Sequence, residues 1–82
     1  MWEKYITQIF DSKLEMETFL KKEFGVSQLT LDLNVNYQTF LAEKTPNDTF
    51  VWFDYNYPMA SRKGLGILRN GRIVEHYIMI MS

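Results

Sequence analysis

The chain has 82 residues, no cysteine, one histidine and a formal net charge of −1 at neutral pH. That length accommodates one domain, 1–82; without cysteine there is neither a disulfide framework nor a thiolate metal site, and a lone histidine argues against a dedicated transition-metal centre. The basic residues form pairs, Lys21-Lys22 and Arg62-Lys63, but no block. This argues against nucleic acid, and no apolar run reaches the roughly 20 residues of a membrane span.

A domain this small buries only roughly 60–65% of the surface its unfolded chain exposes. Its stability is therefore expected to rest on an aromatic core and on a partner subunit.

Trp2, Tyr5, Ile6, Ile9 and Phe10 fall at helical spacing, which predicts a short helix over residues 2–10. Asp11-Ser12 interrupts it. Ser12 with Glu15 three positions on matches a capping box and predicts a second helix from Lys13 to Phe24. Met16, Phe19, Leu20 and Phe24 share one of its faces, Lys21 and Lys22 suit its last turn, and Gly25 suits the position just beyond.

Past Gly25 the period changes to two. Leu29, Leu31, Leu33 and Val35 alternate with Thr30, Asp32, Asn34 and Asn36, which predicts a half-buried strand. The alternation blurs from Tyr37 to Glu43 and fits one long bent strand or two strands with a bulge. Residues 44–49, around Pro46 and Asn47-Asp48, have turn chemistry. Phe50 to Tyr57 is almost continuously apolar or aromatic and predicts a central strand packed on both faces, ended by Pro58. Met59 to Lys63 reads as a polar connection. Asn70-Gly71, between two apolar or alternating runs, then predicts a type I′ hairpin with Arg69 opposite Arg72. The fold class is α+β: two N-terminal helices packed on a strongly curved antiparallel sheet of four to five strands.

The closing segment, Gly66-Ile-Leu-Arg-Asn-Gly-Arg-Ile-Val-Glu-His-Tyr-Ile-Met-Ile-Met81, resembles the C-terminal hairpin of SnoaL-like proteins in the nuclear transport factor 2-like superfamily. The likeness extends to Tyr5-Ile-Thr-Gln8, to residues 11–24, and to Phe40-Leu-Ala-Glu43 with residues 49–57. It implies a cone-like sheet around a pocket. Members of that family are longer at the N-terminus, so the resemblance implies a shortened domain with a more open cavity. Its enzymes commonly carry an acidic residue two positions after the histidine. Here Glu75-His76-Tyr77 is followed by Ile78, and the family's aldol-cyclase or isomerase chemistry does not carry over.

Few residues suggest a site. His76 is the one candidate catalytic acid or base, weighed against a strand histidine hydrogen-bonded to a neighbour, which is favoured. His76 is assigned to the concave side of the sheet with Val74, Ile78 and Ile80. Tyr5, Gln8, Trp52, Asp54 and His76 form the candidate pocket for a small apolar ligand. Asp54, between Phe53 and Tyr55, is either a buried carboxyl with a raised pKa or, preferably, an aspartate facing solvent or a donor.

Trp52 and Asp54 share one face of their strand; Phe53, Tyr55 and Tyr57 share the other. A small protein does not leave both wet, so one face is expected on the helices and the other on a second subunit. Met79 and Met81, alternating with Ile78 and Ile80, fit the same two-sided burial. The expected assembly is a symmetric homodimer burying Tyr55, Tyr57, Tyr77 or Met79.

No phosphate loop, dinucleotide glycine pattern or Ser/His/Asp order is present, and no cofactor is expected. The sequence thus points to a non-catalytic homodimeric binding module that uses an aromatic sheet face. The alternative is a pocket protein or an isomerase/cyclase-like enzyme acting through His76. Met1-Trp2-Glu3-Lys4 lacks a signal-peptide pattern, so a cytoplasmic location is expected.

Overall fold

Three helices lie on one face of a four-stranded antiparallel sheet in the computed structural model, which describes residues 2–81. A 3-10 turn, η1 (Trp2–Tyr5), leads into β1 (Ile6–Phe10). Then come α1 (Lys13–Phe24), α2 (Gln28–Leu33), α3 (Val35–Ala42), β2 (Thr49–Tyr57), β3 (Ala60–Arg69) and β4 (Arg72–Met81). The strand order is β1-β2-β3-β4, so the sheet is open, with β1 and β4 as its edges. The class is α+β, as the sequence indicates. Readings that involve the side chains of Trp2 and Met81 lie outside the described residues.

Local chemistry explains the best-matched elements. The Ser12 hydroxyl accepts from the Glu15 amide at 3.1 Å, and Gly25 closes α1 at φ 67°, its N–H donating to the Lys21 carbonyl. Asn70 and Gly71 sit at φ 52° and 78°, the paired positive values of a type I′ turn, and Arg69 faces Arg72. Pro46 and Asn47 form a turn that the Asp48 amide closes on the Thr45 carbonyl at 3.0 Å.

Three segments differ from the sequence reading. Residues 2–10 are a 3-10 turn followed by a strand, because β1 supplies a ladder partner for β2, with Ile6 opposite Phe53 and Phe10 opposite Phe50. A short isolated helix has no comparable support. Residues 29–43, predicted to be strand, are α2 and α3. Ser27 caps α2 by accepting from the Thr30 amide (3.1 Å), and Asn34 caps α3 by accepting from the Tyr37 amide (2.9 Å). The core contacts then follow the i, i+3, i+4 spacing of Tyr37, Phe40 and Leu41, while the apolar alternation of Leu29, Leu33 and Val35 faces outward. Finally, the expected polar connection shrinks to Pro58-Met59. Tyr57 pairs with Ala60, and β2 and β3 form a hairpin.

The helix-facing core gathers Phe10, Leu20, Tyr37, Phe50, Trp52 and Leu65. One buried polar contact crosses it: the Tyr37 hydroxyl donates to Glu17 at 2.8 Å, and Gln28 donates to the other Glu17 oxygen at 3.2 Å. Burial and the Glu17 carboxylate together push the Tyr37 hydroxyl pKa up.

Val51 and Phe53 point away from the helices yet are fully buried. η1 crosses that face of the sheet, and Glu3 accepts from the Ile73 amide of β4 at 2.9 Å. This part of the second face is covered by the chain itself, where the sequence reading expected a second subunit.

Candidate functional site

Registration of the strands fixes where the sequence-chosen residues stand. Trp52, Leu65 and Tyr77 are aligned across β2, β3 and β4 and face the helices. His76, one residue before Tyr77 and opposite Gly66, therefore lies on the other face, on the edge strand and exposed. Ile78, opposite Gly64, shares that face. Trp52 is packed against Phe19 and Phe24, with ring centroids 5.4 and 5.1 Å away. Gln8 is exposed on β1 beside Trp52, and Tyr5 meets the Tyr55 ring edge-on at 4.7 Å. Asp54 lies 3.7 Å from the Lys63 ammonium through one oxygen, while its other oxygen is buried without a hydrogen-bond partner among the described residues. Gln8, Trp52 and Asp54 are neighbours on β1 and β2. Trp52 and His76 stand on opposite faces of the sheet.

The residues expected at an interface divide likewise. Tyr55 and Tyr57, 4.7 Å apart, are on the η1 side of β2. Tyr77 and Met79 pack on the helix side; the Tyr77 ring is 5.8 Å from Tyr37 and 6.1 Å from Phe40. The Tyr77 hydroxyl accepts from the Asn34 side chain at 3.0 Å, so the α2–α3 corner is tied to β4. Leu33 and Val35, on either side of Asn34, are 71% and 75% exposed, and Leu29 one turn earlier is 65% exposed. Isolated exposed leucines are ordinary, but Leu29 and Leu33, one helical turn apart, and Val35 two positions on place three exposed aliphatic residues on the corner that Asn34 ties to Tyr77.

Among the described residues, two concavities adjoin α3. One, of about 390 Å³, lies between α3 and β4 and includes Thr39, Glu43, Glu75 and His76 in its lining. The other, of about 650 Å³, opens where the start of α1, the end of α3 and the 44–49 segment converge on Phe10 and Phe50. Its far wall is braced by an ion pair. Arg69 donates to both Asp48 oxygens at 2.9 and 2.7 Å, and Asp48 also accepts from the Thr45 amide at 2.9 Å. The Arg69 guanidinium, and then the Thr45 amide, hold the Asp48 carboxyl well below the usual carboxylate range. Sequence reading passed over this cavity because Phe10, Leu41, Lys44 and Phe50 come from elements that only the fold brings together.

Among the described residues no cluster of His, Asp or Glu is arranged to hold a metal ion, and no helix is long and apolar enough to cross a membrane. No family model matches the chain, and neither the curated proteins nor the solved structures include a match to it.

Proposed function

We propose that this chain is a non-catalytic binding module that works as a symmetric homodimer. Its self-docking surface is the α2–α3 corner together with the adjoining part of β4, namely Leu29, Leu33 and Val35 beside Tyr77 and Met79. The observation that supports this reading most is the exposure of Leu33 and Val35 on either side of the Asn34 bond to Tyr77. Removing such apolar surface from water is the main driving force of association. A two-fold arrangement lets the same patch cover itself, and Met and Tyr suit the core of such an interface. Tyr57, on the opposite face, is exposed.

Light scattering during size exclusion, at on the order of tens of micromolar chain, is the test. The expected mass is twice the 9.8 kDa of one chain. Leu33→Glu and Val35→Glu should return it to one chain with an unchanged circular dichroism spectrum, since both side chains are exposed. A parent protein that runs as a single chain, or variants that still pair, would overturn the proposal.

A further inference from the structure

The concavity at the end of α3 has a character distinct from the self-docking surface. Its volume of about 650 Å³ falls in the range of small-molecule sites, roughly 300–1,000 Å³. Phe10 and Phe50, both almost fully buried, close the bottom, and Leu41, Ala42 and Pro46 supply apolar wall. The charged groups at the rim are unequal. Asp48 is already satisfied by Arg69 and the Thr45 amide, which leaves Lys13 and Lys44 against the single carboxylate of Asp11. Lys44 is held over the apolar floor: its ammonium donates to the Thr45 carbonyl at 3.2 Å and stands 5.7 Å from the Phe50 ring centroid. Arg69 also donates to the Glu43 carbonyl at 3.4 Å, which ties the wall that carries Lys44 to β3.

The geometry points to a binding site for a small organic anion with a flat apolar body. The body lies against Leu41, Ala42 and Pro46 above the two phenylalanines, and its carboxylate, or an equivalent anionic group, meets the Lys44 and Lys13 ammonium groups. Both parts of the ligand are required. A bare inorganic anion leaves the apolar wall wet, and a neutral aromatic leaves the surplus positive charge of Lys13 and Lys44 over Asp11 unbalanced.

Nuclear magnetic resonance titration of the full ¹⁵N-labelled chain tests this, with 2-naphthoate as the probe and 2-naphthalenemethanol and inorganic phosphate as controls. Saturable amide shifts are expected from 2-naphthoate at residues 10–13, 38–42 and 44–50. Either control should bind at least about tenfold more weakly, as should 2-naphthoate to the Lys13→Ala/Lys44→Ala double variant. Ala42→Phe, at an exposed position on the wall, should abolish the shifts while keeping the dispersed spectrum of the folded chain. Phosphate or the alcohol matching naphthoate would overturn the inference, as would a double variant that titrates like the parent. Shifts centred on residues 29–35 and 77–79 would do the same, since they would place the probe on the self-docking surface.

Discussion

Asp48 shows what single residues contribute and what the sequence hides about them. Its side chain is almost fully buried, and both oxygens are taken by Arg69, 21 positions away. A group whose folded pKa is depressed contributes stability above its unfolded pKa and loses it as pH falls through the folded one. The contribution is therefore full above about pH 5 and fades as pH drops through the unfolded value near 3.9 toward the lower folded value. Asp48→Asn should melt below the parent at neutral pH, and the gap between the two should narrow on acidification to about pH 2.5. Thermal denaturation followed by circular dichroism at several pH values measures this; a gap independent of pH would mean that the ion pair does not stabilise the loop. The residues that cap α1 and turn the final hairpin were legible because each acts within four positions of its partner. Asp48 was read only as a turn residue, since no local pattern announces that the hairpin will deliver Arg69 to it.

At the scale of elements, the chain separates into parts governed by local rules and parts governed by packing. Asn70-Gly71 sets a two-residue turn whatever surrounds it, so β3 and β4 could be paired in advance. Residues 29–36 alternate like a strand, yet the alternation coincides with two caps, Ser27 and Asn34, spaced three residues ahead of Thr30 and Tyr37. Those caps, with Tyr37, Phe40 and Leu41 at helical spacing, are the signal that distinguishes helix from strand here. Asn34 both caps α3 and bonds Tyr77, so it couples the corner to the sheet. Asn34→Ala removes both contacts and should cost about 1–3 kcal/mol, measured by urea denaturation. Tyr77→Phe leaves the cap in place and removes only the hydroxyl that accepts from Asn34, and should show part of that loss. A Tyr77→Phe chain as stable as the parent would show that the Tyr77 bond contributes nothing.

For the molecule as a whole, the open question left by the sequence was what covers the two apolar faces of β2. The alternation of Trp52 with Val51 and Phe53 established that both faces needed cover, but not who supplies it, because period-two patterning carries no information about the occupant. One cover is the three-helix layer; over Val51 and Phe53 the other is η1, anchored by Glu3 to the amide of Ile73. The same limit explains the candidate site. A family likeness groups His76 with Trp52, whereas strand register places them on opposite faces. The cavity above Phe10 and Phe50 arises only when α1, α3 and the 44–49 segment converge. If η1 is the cover, deleting residues 1–5 should expose Val51 and Phe53 and lower stability by on the order of 2 kcal/mol, within the value of burying a Val or Phe side chain. It should also raise the fluorescence of an added anilinonaphthalene dye, which reports newly wet apolar surface. A truncated chain that melts with the parent and leaves the dye dark would show that Val51 and Phe53 do not depend on η1, returning that face to a second subunit.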